Sequence, residues 1–279
     1  MNKIKRFVAL ALGVTLVIGG VVGCGKKEEV QKPKIESAKE VLTKAFDNIK
    51  KTRKGSVVVS ASADKDSLSA TVNFNFENDI SLSVLGDYKS DTNENQKMEA
   101  YAVKEGDAVN IYFGNGDKYQ KLPVPMSQVT EAFSSIKEKV ATGSAVEIAK
   151  DFDYSKVNVS YKSGVYTLTG EISKDDVNKA VSGSAVSLPD VRGNVLSSAS
   201  GGAADVNDTV KYTIVVDSKN NYSINTVTIT EKNTSITANL SGLNKDVSIS
   251  VPDNVRSGAT LFDISSFFGS APMNPVTKN

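Results

Sequence analysis

The chain has 279 residues, with 33 Lys and Arg against 32 Asp and Glu, so its formal net charge is +1. A nucleic-acid-binding domain carries a clear excess of basic charge, so this balance predicts no nucleic-acid partner. The chain holds one cysteine and no histidine, which excludes an internal disulfide, a Cys/His zinc site and a nucleophile activated by imidazole.

The first segment has the layout of a secretory signal peptide. Lys3, Lys5 and Arg6 precede the uncharged run FVALALGVTLVIGGVVG, residues 7 to 23. The alternative is a permanent membrane-spanning helix, but the run is near the lower length limit for one, and its four glycines weaken it as a helix. We therefore predict a signal peptide over residues 1 to 23.

The single cysteine follows this leader directly. The sequence VVGC, residues 21 to 24, resembles the lipobox of bacterial lipoproteins, although Val21 replaces the more usual leucine. The resemblance implies cleavage between Gly23 and Cys24 and a diacylglycerol group on the Cys24 sulfur. Two acyl chains anchor a protein stably where one is marginal. We expect a lipoprotein held on the outer face of the cell membrane; a buried cysteine in an uncleaved helix is the alternative.

The next segment is a tether followed by a helix. Residues 25 to 35, GKKEEVQKPKI, are mostly charged or polar, so with Cys24 they predict a flexible tether. Ser37 and Glu40 form a capping-box pattern, and Gly55 is predicted to end the helix. The apolar residues that follow the cap recur at spacings of three and four, as one face of an amphipathic helix requires. These residues are Ala38, Val41, Leu42, Ala45, Phe46 and Ile49.

After the helix, the apolar residues recur at every second position instead of every 3.6 positions. In SLSATVNFNFEN and DISLSVLG, apolar residues alternate with polar ones, as expected of strands with one solvated face. Short turns such as GNGD, residues 114 to 117, separate most of the candidate strands. We predict twelve: 56–62, 68–76, 80–84, 98–104, 108–113, 118–122, 156–161, 165–172, 210–216, 222–230, 234–240 and 247–251.

The order of the elements predicts the architecture. Strand follows strand, with helices only at 126–140, 145–150 and 174–182, whereas a two-lobed solute-binding protein would alternate strands with helices. The order favours one large antiparallel sheet. These helices are few for so wide a sheet, so either the sheet curls around them or part of its apolar face stays uncovered.

Five features of the chain occur in this order: a lipobox, a charged spacer, the helix AKEVLTKAFDNIKK, serine-rich strands and the late segment VSISVPDNV. In this combination the chain resembles a group of Gram-positive lipoproteins, similar to the LppX/LprG lipoproteins and the LolA carrier. The resemblance implies an α+β, mainly β fold: a curved antiparallel sheet, left unclosed as a half-barrel, with a few helices on its concave face. It also implies an apolar cavity for acyl chains, and no catalytic residues. The domain would span residues 36 to 256, with a mobile loop at 182–208 and an apolar tail at 257–279.

Three classes of function follow. The first is a lipoprotein that binds or carries a lipid or another hydrophobic ligand. The second is a scaffold or sensor with a filled core that contacts envelope proteins, and the third, an enzyme, lacks a recognisable catalytic constellation. We predict no catalytic site, cofactor or metal; the loop Asp91, Asn93, Asn95 lacks the glycine and glutamate of a calcium site. The candidate cavity-lining residues are Leu68, Ala70, Val72, Phe74, Phe76, Ile80, Leu82, Val84, Ile111 and Phe113.

Overall fold

The computed structural model describes residues 35–77, 80–90, 93–130, 153–173 and 209–262. The leader, Cys24, most of the tether, the loop 182–208 and the helices 145–150 and 174–182 lie outside the described residues. Of the helix predicted at 126–140, residues 126 to 130 are described and are helical. No helix among the described residues has the length and apolar character needed to span a membrane.

The first helix, α1, is Ala38–Lys51. The predicted capping box is confirmed: the backbone N–H of Ser37 donates to Glu40 Oε2 at 2.8 Å, and the backbone N–H of Glu40 donates to Ser37 Oγ at 3.3 Å. The helix ends at the C-cap Thr52, so the prediction that Gly55 ends it is wrong. Gly55 lies in the first strand, where its positive φ of 145° and a closely approaching neighbouring strand both require glycine.

In the described residues, twelve strands form one sheet. They are β1 Lys54–Ala63, β2 Asp66–Asn75, β3 Ser81–Ser90, β4 Asn93–Glu105, β5 Ala108–Gly114, β6 Tyr119–Pro125, β7 Asn158–Lys162, β8 Val165–Ser173, β9 Thr209–Asp217, β10 Ser223–Glu231, β11 Thr234–Leu243 and β12 Ala259–Leu261. The order across the sheet is β12-β6-β5-β4-β3-β2-β1-β11-β10-β9-β8-β7, so the sheet is unclosed, with β12 and β7 at its edges. Neighbouring strands pair antiparallel, except that β12 runs parallel to β6.

The prediction of a strand at 247–251 is wrong. This segment has no strand pairing, and the twelfth strand is β12 instead. The alternation in VSISV has a different cause: Ile249 and Val251 pack their side chains onto the face of the sheet that is opposite α1, while their backbone passes over it. Alternating burial of side chains does not require a hydrogen-bonded partner strand.

The main core lies between α1 and one face of the sheet, which we call the inner face. Val41 and Ala45 of α1 are fully buried there. The same core includes side chains from seven adjacent strands, β3, β2, β1, β11, β10, β9 and β8. Seven strands would span about 29 Å if the sheet were flat, whereas one helix with its side chains is about 10–12 Å wide. One helix is too narrow to cover seven flat strands, so side chains of all seven strands share this core only if the sheet curves toward the helix.

The C-terminal part of the domain packs on the opposite, outer face of β4 to β6. Here Val251, together with Val255 of the short helix α2 (Asp253–Gly258), is buried against Tyr101 and Tyr112. After α2 the chain turns at the sheet edge and forms β12 beside β6. Residues 259 to 261, in the predicted apolar tail, are therefore part of the sheet.

One ion-pair network fastens α2 to this outer face. The carboxylate of Glu105 lies 2.7 Å from the Arg256 guanidinium and 3.7 Å from Lys121 Nζ. Asn110 Nδ2 and the Tyr112 hydroxyl both donate to it, the second at 3.1 Å. Burial alone would raise the pKa of Glu105, but these two hydrogen bonds and the two positive charges lower the pKa overall.

The lowered pKa of Glu105 predicts a loss of stability in acid. A group whose folded pKa is lowered contributes stability that is fully present above its unfolded pKa, about 4.3, and is lost as the pH falls through the folded value. We expect Glu105→Gln to lower the urea midpoint at pH 7 and to differ less from the parent chain at pH 3. The control is Asp107→Asn, an exposed neighbour, which should match the parent at both pH values. If the urea midpoint of Glu105→Gln lies as far below that of the parent chain at pH 3 as at pH 7, this account is wrong.

Candidate functional site

A cavity of about 730 Å³ opens on the inner face, over the half of the sheet that runs from β2 to β12. Its floor is one row of side chains that crosses six strands. The strand register places these residues side by side, because each one lies directly opposite the next one on the neighbouring strand. The row is Val72, Val84, Ala100, Phe113, Gln120 and Thr260.

Small side chains beside this row give the cavity its depth. The neighbouring row holds Ala70 and Gly86, with the flexible Met98 next to them. A Cβ added to Gly86 would lie 3.4 Å from Met98 Cε and 3.8 Å from Ala70 Cβ, which are ordinary contact distances. Gly86 lines the cavity, so a longer side chain at this position would project into it.

Polar groups collect at the end of the cavity that lies near β6 and β12. The turn between β5 and β6 contributes Asn115, Asp117 and Lys118, all exposed. At the same end the Phe262 ring meets the Phe113 ring edge to face, with 5.4 Å between ring centroids. The opposite end, at β2, is lined by Leu68, Ala70 and Val72. The cavity is thus apolar at the β2 end and polar at the β6 end.

Glu99 at the rim is held by two tyrosines. The Tyr119 hydroxyl donates to Glu99 Oε2 at 3.0 Å, and the Tyr101 hydroxyl donates to the same oxygen at 3.4 Å. Burial, helped by the charge of Glu99, raises the pKa of Tyr101 to about 12 and also raises the pKa of Tyr119. Both hydroxyls therefore stay protonated at neutral pH and act as hydrogen-bond donors, an arrangement that fixes the rim.

The part of the chain that the structure describes contains no group of three or more His, Cys, Asp or Glu residues able to hold a metal ion. The segment that begins like a calcium loop runs into β4, which starts at Asn93. An extended strand does not have the loop backbone of a calcium site.

The structure brings together half of the ten candidate cavity residues. Five of them line the cavity: Leu68, Ala70, Val72, Val84 and Phe113. The other five, which are Phe74, Phe76, Ile80, Leu82 and Ile111, are not among its lining residues. Phe74, Leu82 and Ile111 share the inner face but form the next cross-strand row, with Ala102 between Leu82 and Ile111. The Phe74 ring stacks on the Phe76 ring with centroids 5.5 Å apart.

Several lining residues were not predicted, above all Gly86, Met98 and Ala100. Gly86 and Ala100 are small, and Met98 stands in a strongly polar stretch, so apolar alternation does not single them out. Pairing the strands in order would have identified them. The hairpin register that places Val72 beside Val84 also places Ala70 beside Gly86.

No protein-family model matches the chain. No curated protein sequence matches it significantly. Among solved structures, the chain is similar to the lipoprotein LppX of Mycobacterium tuberculosis, at 14% identity and a TM-score of 0.39 over 76% of this chain and 97% of that one. It is also similar to LprF of Mycobacterium bovis, at 14% identity and a TM-score of 0.40 over 77% of this chain and 96% of that one. The predicted resemblance to this group is thus confirmed as a distant likeness, which assigns no ligand to this chain.

Proposed function

We propose that this protein is a membrane-anchored lipoprotein of the cell envelope that binds a lipid or another hydrophobic ligand in the inner-face cavity. The observation that carries the proposal is the cavity itself. Its volume of about 730 Å³ falls within the range of roughly 300–1,000 Å³ that is typical of small-molecule sites. Its floor is mainly apolar and has a few polar groups at one end, which is the usual composition of such a site.

The driving force for binding is the removal of apolar surface from water. Each methylene group that a ligand buries contributes roughly 0.8 kcal/mol. On the protein side, a ligand would cover Val84, Met98 and Phe113, which are only half-buried and line the cavity. The site needs no charged partner for such a ligand, and the proposal includes no catalytic step.

The test is to fill the cavity from its floor. Ala70→Phe places a ring in the cavity, so we expect the affinity for a fluorescent acyl-chain probe to fall at least ~10-fold. Ala70 is buried but lines the cavity, so the ring should extend into the cavity, and the free energy of unfolding should change by less than ~1 kcal/mol. Probe titration and urea unfolding of a chain that lacks residues 1 to 24 measure the two effects.

The matched control is Ser69→Phe. Ser69 is the exposed neighbour of Ala70 on the outer face, so this variant adds the same ring without entering the cavity and should bind the probe normally. If the parent chain binds no probe and Ala70→Phe lowers stability by ~1 to 3 kcal/mol, the inner face is a filled core. The scaffold or sensor function would then replace the carrier function.

The anchor is tested separately. Cys24→Ser removes the sulfur to which the diacylglycerol would be attached, so we expect the variant to lose acylation and to leave the membrane fraction. Mass spectrometry of the N-terminal peptide and detergent phase separation measure these two losses. Membrane association that persists in the variant would show that the leader acts as an uncleaved helix.

A further inference from the structure

We infer that the ligand of the inner-face cavity is a single-chain amphiphile that lies across the strands, with the end of its tail at β2 and its head at the turn between β5 and β6. This inference rests on the proposed function, because it names the class of ligand for the same cavity. Three properties of the cavity support it: volume, length and the distribution of polar groups.

The volume favours one chain over two. A water-sized group occupies about 30 Å³ in a liquid, so a cavity of about 730 Å³ holds roughly 24 such groups. That is enough for one acyl chain of roughly 16 to 18 carbons with a small head. A second chain would nearly double the required volume, so we expect a single-chain amphiphile to bind more tightly than a diacyl lipid.

The length of the floor fits an extended chain. The floor row crosses from β2 to β12 in five strand-to-strand steps, which amounts to about 24 Å at the usual strand spacing. An acyl chain covers half of the ~30 Å hydrocarbon core of a bilayer, or about 15 Å. One chain is therefore shorter than the row, which leaves space at one end for a head group.

The polar groups fix the direction of the ligand. The β2 end of the cavity has no polar side-chain atom, because it is lined by Leu68, Ala70 and Val72. The other end of the floor has two polar side chains, Gln120 and Thr260. The turn between β5 and β6 adds further hydrogen-bonding groups there, including one acidic and one basic side chain. A tail placed at β6 would desolvate these groups without compensation, and a head placed at β2 would have no hydrogen-bond partner on the floor.

Photo-crosslinking of the full chain in phosphatidylcholine vesicles tests this inference. One probe is a fatty acid with a diazirine near its methyl end, and a second carries the diazirine near its carboxyl end. A third is a phosphatidylcholine in which one chain bears the methyl-end diazirine. After irradiation, peptide mass spectrometry locates the label. We expect the first probe to label β2 at least ~10-fold more than the diacyl probe does, and the second to label residues 114 to 120.

A matched pair of variants shows that the labelling reports the cavity. Gly86→Leu extends a side chain into the cavity from β3 and should reduce the labelling of β2 at least ~10-fold. Asp87→Leu, the exposed neighbour on the outer face, should leave it unchanged. Both changes add a leucine to the same strand, so a difference between them cannot come from apolarity alone.

The remaining outcomes separate the two proposals. Equal labelling of β2 by the diacyl probe would overturn the single-chain inference and leave the cavity as a lipid site. Labelling of β2 by the carboxyl-end probe would overturn the direction of the ligand. If no probe labels β2 to β5 and Ala70→Phe leaves probe binding unchanged, both the inference and the proposed function fall.

Discussion

Leu168→Ala is expected to lower the free energy of unfolding by ~3 to 5 kcal/mol. Leu168 lies in β8 with none of its surface exposed, and it belongs to the main core under α1. Truncation removes buried methyl groups and leaves a cavity that surrounding side chains fill only in part, which is why Leu→Ala changes in packed cores fall in this range. Urea unfolding followed by circular dichroism measures the loss.

The chain offers a control with the same chemistry. Leu261 is 73% exposed, so Leu261→Ala should change the free energy of unfolding by less than ~0.5 kcal/mol. If Leu168→Ala and Leu261→Ala lower the free energy of unfolding equally, β8 does not pack under α1. A small loss at Leu168 alone would mean that the main core ends before β8.

Gly55→Ala is expected to destabilise the protein by ~2 to 4 kcal/mol, from backbone strain combined with overpacking. Its φ of 145° is a conformation that other L-residues rarely adopt, and an added Cβ would lie 2.7 Å from both the carbonyl oxygen of Gly242 and Leu243 Cα. These are backbone atoms of β11, so they cannot turn aside as a flexible side chain would. The register of β1 against β11 is irregular just after Gly55, between Ser56 and Val58.

Two other glycines separate strain from steric overlap. Gly106 has a φ of 64° with no heavy atom within 4 Å of an added Cβ, so Gly106→Ala should lose only the ~1 to 2 kcal/mol of left-handed strain. Gly258 has open space and no positive φ, so Gly258→Ala should be nearly neutral. If Gly55→Ala is as mild as Gly258→Ala, β1 and β11 do not approach as closely as the structure indicates.

The sequence predicts the sheet well because the evidence for each strand is local. Alternation in β2 shows which side chains face the core, and short turns such as GNGD pair most strands with the next one in the chain. The helix start at Ser37 is equally local, since the two hydrogen bonds of the capping box join residues three apart. The prediction for Gly55 is wrong because a glycine after a basic helix end looks the same in sequence whether it caps the helix or accommodates a neighbouring strand.

The cavity is harder to predict because it depends on register across several strands. Phe74 and Val72 are equivalent in the alternation of β2, yet only Val72 belongs to the row that lines the cavity. What distinguishes the two rows is the partner side chains from β3 and β4, such as Gly86 and Ala100. The packing of Val255 on the outer face, and the parallel strand that follows it, depend on contacts between residues that are more than a hundred positions apart.

The pairing of β1 with β11 has a consequence for how the protein folds. Val59 and Ala238 are direct partners although about 180 residues separate them in the chain. On either side of this junction, β1 to β6 and β7 to β11 are runs of neighbours that are consecutive in the chain. The strands β1 to β6 and β9 to β11 are able to assemble from short connections, whereas the junction of β1 with β11 must close a much longer loop first, and such non-local pairings slow folding. We therefore expect the two halves of the core under α1 to join late in folding, after β11 has formed.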